Sequence, residues 1–223
     1  MKLSQKQFDQ LLQKNKLVLS LIGMSNIGKT HWSKKLTKIN FKHINCDDLV
    51  EAKLALELKA CGHSGIKDVS LWMGQPYDKR FLVCQQKYLK FEKEVMKQIF
   101  MQIESKKGQN IVIDTTGSFV HAGTSACSQL KKHTLVIYIE ARDSVKEKMF
   151  ERYIKKPKPV VFGDVFAPKK GETNKRALKR CYLKLLDLRS NLYDQCADIS
   201  ISCEIISQDM DAKQFISLIR KSL

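Results

Sequence analysis

Short apolar runs alternate along the chain with longer stretches in which apolar positions recur every three or four residues. That alternation predicts an α/β fold on a mostly parallel sheet. Runs at 17–22 (LVLSLI), 41–45 (FKHIN), 110–114 (NIVID), 134–139 (TLVIYI) and 198–203 (DISISC) read as strands. The first, third and fourth are nearly continuous Val, Ile and Leu, as in strands covered on both faces. In 78–106, Phe81, Cys84, Tyr88, Phe91, Val95, Ile99 and Ile103 draw one apolar stripe, which predicts a long core-facing helix. Leu178, Cys181, Leu185, Leu188 and Leu192 do the same for 174–195. Further helices are expected at 4–14, 29–37, 48–60, 121–132, 143–154 and 211–221.

One segment has neither period. Residues 155–173 (KKPKPVVFGDVFAPKKGET) hold three of the four prolines, two glycines and five lysines. A loop of that length between two helices is uncommon unless it has a function. Its basic character predicts a mobile lid that closes over phosphate.

Composition narrows the partners. The 223 residues carry 40 Lys+Arg against 23 Asp+Glu, a net charge of +17, which favours anionic ligands. Residues 144–191 alone hold 14 basic and 5 acidic residues, so over half of the excess lies in about a fifth of the chain. A solvated helix surface, phosphate handling and nucleic-acid binding all remain open for that stretch. The seven cysteines are odd in number and form no CxxC pair, so they read as reduced thiols rather than as disulfides or a zinc site. No apolar run approaches the roughly 20 residues of a membrane span, and the first residues carry no secretory h-region. A cytoplasmic protein without a membrane partner is the expectation.

The sharpest motif is Gly23-Met24-Ser25-Asn26-Ile27-Gly28-Lys29-Thr30, which fits GxxxxGK[ST] directly after a strand and directly before a helix. In that context the glycines allow backbone N–H groups to approach β- and γ-phosphates, and the helix adds its positive end. Lys29 is expected to bridge those phosphates and Thr30 to offer its hydroxyl to magnesium, with His31 following on the same turn. ATP is favoured over GTP because no NKxD-type tetrapeptide is present. Carboxylates at strand ends are the next candidates, since ligands of open α/β sheets lie at the carboxyl ends of strands. Asp47 and Asp48 follow the second strand, and Asp114-Thr115-Thr116-Gly117-Ser118 follows the third. Asp47 and Asp114 could hold the metal through water or accept the proton of an attacking hydroxyl, whereas Asp48 reads as a helix N-terminal acid.

With these motifs in place, the chain resembles the shikimate kinase family of P-loop small-molecule kinases from Leu17 to about Ser202. Phe41 to Glu51 is similar to the family's FxDxDxxIE motif, with Asp47 at the second aspartate and Asn45 at the first. LLDLRSNLYDQCADISI resembles LLxxRxPLYxExA and places Arg189 at the substrate-side arginine. Lys158-Pro159-Val160-Val161 is similar to the lid motif RPLL, and Arg152 lies near the arginine that stacks on adenine. The resemblance implies a three-layer α/β/α P-loop kinase fold with a five-stranded parallel sheet and a lid. It implies one domain over 1–223, with a core at 17–50 and 108–142, an acceptor-binding region at about 47–107 and a lid at about 152–173. The departures bear on substrate. Thr116-Gly117-Ser118 stands where the family has a glycine triplet, and Leu89 where it has the arginine for the shikimate carboxylate. The stretch between Ala52 and Asp78 is also longer. A shikimate-kinase-like branch carrying DTTGS is the nearer comparison.

The leading expectation is an ATP- and Mg2+-dependent kinase of a small hydroxylated metabolite other than shikimate. Lys29, Asp47, Asp114 and Lys158 would be catalytic, with Lys156 beside Lys158 on the lid. Asp47, Arg189, Gly117 and Ser118 would meet the acceptor, Gly23 to His31 and Arg152 the nucleotide, and Thr30 and Asp114 the metal. A nucleoside, nucleotide or polynucleotide kinase is the alternative enzyme. A non-catalytic nucleotide-sensing or nucleic-acid-binding module is the third reading, weakened because aromatic residues rarely interleave with the basic ones. His43 reads as a packing or surface residue, Trp32 and Trp72 as core or acceptor-pocket wall and Cys46 as a small buried residue, while His121 and His133, flanking a predicted surface helix, are assigned no role.

Overall fold

The computed structural model describes residues 3–105, 108–207 and 209–223. Five strands, β1 (Val18–Ile22), β2 (Phe41–Asn45), β3 (Asn110–Asp114), β4 (Leu135–Glu140) and β5 (Ile199–Ser202), form one sheet in the order β2-β3-β1-β4-β5. Every pairing is parallel. All five lie within a residue or so of the expected runs.

Successive side chains of a strand point to opposite faces, and the buried strand residues sort accordingly. Leu19, Leu21, Val112, Ile137 and Ile139 face one layer. That layer is made by α1 (Gln5–Gln13), α2 (Lys29–Thr37) and α9 (Ala212–Lys221), and Trp32 of α2 stacks on Phe215 of α9 at a centroid distance of 4.4 Å. Ile22, Ile111, Ile113, Val136 and Tyr138 face the other layer. There lie α3 (Cys46–Ala60), α4 (Ile66–Met73), α5 (Phe81–Ser105), α6 (Thr124–His133), α7 (Asp143–Lys155) and α8 (Asn174–Cys196).

Several boundaries depart from expectation, each for a local reason. The Asn45 side chain accepts from the Asp47 N–H, so α3 begins at Cys46 rather than 48 and holds Asp47 in its first turn. α5 starts at Phe81, and residue 106 of the expected helix lies outside the described residues. The helix expected at 121–132 is split: a 3-10 turn (Phe119–Ala122) ends at Gly123, whose φ of 98° suits glycine, and α6 follows. α4 was not expected. It occupies part of the long stretch between Ala52 and Asp78, buries Val69, Trp72 and Met73, and is closed at both ends by glycines of positive φ. The 156–173 segment is irregular as expected but docked, with Val160, Val161 and Phe162 in the core.

Candidate active site

The loop after β1 is shaped by glycine. Gly23 has a φ of 140°, and a Cβ there would sit 2.7 Å from the Ile139 carbonyl oxygen, so no other residue fits. Gly28, at φ 113°, precedes α2 and offers no side-chain cap. The N–H groups of Lys29, Thr30 and His31 therefore open the helix without intrahelical partners, as an anion site requires. Lys29 is buried, and its Nζ donates to the carbonyls of Gly23 and Met24 at 2.9 Å each. Burial lowers its pKa, while Asp114 and Asp47 oppose that shift. Ser25, Ile27 and Gly28 are half-buried, whereas Asn26, Thr30 and His31 are exposed.

Strand register brings the acids to this loop. Asp114 pairs with Leu21 of β1 on one side and Asn45 of β2 on the other. It is 3% exposed, and its Oδ2 lies 3.6 Å from His43 Nε2, too far for a hydrogen bond. Neither atom has a hydrogen-bond partner among the described residues. His43, read from the sequence as packing, thus faces the candidate metal-side acid. Asp47 is half-buried, and desolvation raises its pKa against the opposing charge of Lys29. Asp48 is exposed in the first turn of α3, as an N-terminal helix acid should be.

The 115–118 turn joins the loop to α5. Thr115 binds the Leu21 carbonyl through its N–H at 3.2 Å and its Oγ1 at 2.9 Å. Gly117 presses on the phosphate loop: a Cβ there would lie 2.5 Å from Ser25 Oγ and 3.0 Å from Ser25 N. Its carbonyl accepts from the Tyr193 hydroxyl. Behind the turn, the hydroxyls of Thr116 and Ser118 both donate to Oε1 of Glu92, the Ser118 bond at 2.6 Å. Glu92 is 1% exposed, its Oε2 has no partner among the described residues, and burial raises its pKa to about 7. Sequence reasoning missed this residue. An acid four positions after Tyr88 on the apolar stripe of α5 was the available signal.

A cavity of about 490 Å³ opens at this junction. Six expected residues, Ser25, Asp47, Gly117, Ser118, Lys156 and Lys158, line it, together with Tyr88 of α5, Asp68, Ser70 and Leu71 of α4, and Pro157 and Pro159 of the lid segment. The charge of Lys158 acts on both Lys29 and Asp47, so it lies near the start of α2 and the start of α3 alike. The lid segment is tied down from behind: Gln85 Oε1 accepts from Phe162 N at 2.7 Å and Gly163 N at 2.9 Å. Lys29, Thr30 and Asp114 are not among the residues that line the cavity, nor are Arg189 and Arg152. Arg189 is buried; its Nη2 donates to the Val161 carbonyl at 2.8 Å and its Nε to His121 Nε2 at 3.0 Å, and its charge reaches Lys29, Tyr88 and Glu92. The same neighbour and burial push the His121 pKa down to about 3. Arg152 is exposed on α7.

This sheet order, with a phosphate loop at its centre and helices on both faces, is the three-layer α/β/α fold of P-loop kinases. Within that class the fold is shikimate kinase-like. Solved structures similar to the chain include a shikimate kinase from Acinetobacter baumannii in complex with shikimate, at 17% identity and a TM-score of 0.57, covering 95% of this chain and 94% of that one. A shikimate kinase from Bacteroides thetaiotaomicron matches at 13% identity and a TM-score of 0.59, over 92% and 97% of the two chains. A dephospho-CoA kinase from Campylobacter jejuni matches at 13% identity and a TM-score of 0.51, over 92% and 96%. No protein-family model matches the sequence, and the curated proteins contain no significant relative. Among the described residues, no helix is long and apolar enough to cross a membrane.

Proposed function

We propose that the protein is a kinase that moves the γ-phosphoryl group of ATP to a hydroxyl of a small metabolite other than shikimate. The observation that carries this reading is the convergence on one cavity of the phosphate loop, the Asp47 carboxylate, the 115–118 turn and the lid lysines. In the proposed step the acceptor oxygen bonds to Pγ, the bond from Pγ to the β,γ-bridging oxygen breaks, and ADP leaves with that oxygen. The acceptor proton passes to Asp47, which burial makes a stronger base than an exposed aspartate. Lys29 would leave the Gly23 and Met24 carbonyls for the β- and γ-phosphates. Lys158, and Lys156 beside it, would offset charge on the transferring group, so that catalysis is mainly positioning and electrostatics.

The oxygen donors of Thr30 and Asp114 suit Mg2+, and Asp114 Oδ2 has no hydrogen bond to give up. These two would hold the ion, directly or through water, and when bound it would neutralise charge on the phosphates. Thr30, His31 and the loop N–H groups would hold the nucleotide. Arg152 is proposed for the adenine side only, and Arg189 as a support for the lid through Val161.

The test is incubation with γ-labelled ATP, Mg2+ and a small-molecule extract beside a Lys29→Ala control. A labelled metabolite formed only by the intact protein supports the reading. Label confined to ATP and free phosphate removes it. One observation favours a second reading: Lys175, Arg176 and Lys179 stand exposed on the N-terminal half of α8 around a cavity floored by Phe150 and Leu183. A polynucleotide acceptor would use that face, and its phosphorylation would fall steeply with salt.

A further inference from the structure

The acceptor side of the cavity has its own hydrogen-bond polarity. Ser118 lines the cavity, yet its single proton is committed to Glu92 Oε1, as is that of Thr116. A hydroxyl oxygen whose proton is spent inward can offer a ligand only its lone pairs. The 3.3 Å contact between the two hydroxyls gives Ser118 no second proton, because Thr116 has also spent its own. The Tyr88 hydroxyl also bonds Ser118 from this wall, so the Ser118 oxygen keeps one lone pair for a donor on the ligand.

Charge points the same way. Asp47 and Asp68 line the cavity, and Glu92 stands directly behind Ser118. The cations among the described residues that line it are Lys156 and Lys158, and the charge of Lys158 reaches both Lys29 and Asp47. Arg189 is bound to Val161 and His121, and Leu89 of α5 is packed among apolar residues. A carboxylate placed on this wall would face Asp47, Asp68 and Glu92, with the charge of Arg189 reaching Glu92 from outside the lining and no arginine among the described lining residues to clamp it in bidentate fashion.

We infer that the acceptor is a carboxylate-free, hydroxyl-rich molecule, neutral or aminated, whose O–H or N–H groups donate to Ser118, with Glu92 as the residue that sets this polarity. The inference rests on the kinase reading for the word acceptor, but the preference of the cavity is measurable without phosphoryl transfer. Calorimetric titration, without nucleotide, compares neutral polyols and amino sugars with sugar acids of the same carbon skeleton and with shikimate. The expected result is binding of a neutral or amino compound at least tenfold tighter than its acid counterpart. Ser118→Ala should weaken that binding about tenfold, the loss of one hydrogen bond. Glu92→Gln retains an oxygen for both hydroxyls and removes the charge, so it should narrow the neutral-to-acid ratio while the compound still binds. Where transfer is observed, Ser118→Ala should raise the acceptor KM and leave kcat within about threefold.

Tighter binding of the acids, no binding by any neutral or amino compound, or a Ser118→Ala variant that binds as the parent does would each overturn the inference. The kinase reading fails separately, if labelled ATP is handled alike by the parent and Lys29→Ala.

Discussion

Replacing Glu92 by Gln should make the protein more stable, and the gain should depend on pH. The Glu92 pKa rises from 4.5 to about 7, chiefly because the side chain is buried and further because Asp47 is near; hydrogen bonds from Ser118 and Thr116 and the charge of Arg189 oppose the rise. A folded pKa above the unfolded one means that the native state holds a proton the unfolded state has lost. Stability is then full below pH 4.5, declines as pH rises through the interval, and is flat above about 7. At about 1.4 kcal/mol per pH unit the whole interval amounts to about 3 kcal/mol, and the portion above pH 5.5 to about 2 kcal/mol. Glutamine does not titrate and fills nearly the same volume, so subtracting the two proteins cancels every other group. Urea denaturation at pH 5.5, 7 and 8.5 reads the effect. With a slope of about 2 kcal/mol per M, the gap between midpoints should widen by about 1 M from the lowest pH to the highest. Parallel midpoints across that range would refute the reasoning, because the carboxyl would then share its pKa with the unfolded chain.

Other substitutions test other contacts. Gly117→Ala brings a methyl group 2.5 Å from Ser25 Oγ and 3.0 Å from Ser25 N; overpacking of this kind costs about 1–3 kcal/mol, so fluorescence titration should show ATP-analogue affinity about tenfold or more weaker, partly recovered by adding Ser25→Gly. Gln85→Ala leaves the N–H groups of Phe162 and Gly163 without their acceptor, and trypsin should then cut after Lys155, Lys169 and Lys170 sooner, as followed by mass spectrometry. Asp47→Asn should lower the single-turnover transfer rate by about 100-fold or more while nucleotide binding holds, and an unchanged rate would move the base elsewhere.

Much of this arrangement was legible from residue order. The strands announced themselves by continuous Val, Ile and Leu, and the phosphate loop by a motif whose glycines have a steric reason visible at Gly23. Asp47 and Asp114 were singled out because strand ends mark the crevice, and the charges of both act on Lys29. α4 escaped because eight residues carry too little period, although Val69, Trp72 and Met73 keep helical spacing. Glu92 escaped because the stripe was read through its apolar members, and the partners that explain a buried acid lie 24 and 26 residues away in the 115–118 turn. Arg189 was placed at the acceptor by resemblance alone, and only three-dimensional packing turns it toward Val161.

The 115–118 turn has two faces in use, one against Ser25 of the phosphate loop and one against Glu92. A segment gripped from both sides makes the two substrates aware of each other. On the proposed kinase reading, an acceptor that steadies Ser118 would also steady Gly117 and, through it, the loop at Ser25, and nucleotide in that loop would favour the acceptor by the same factor, since binding linkage is reciprocal. Either substrate bound first would then raise the affinity for the other.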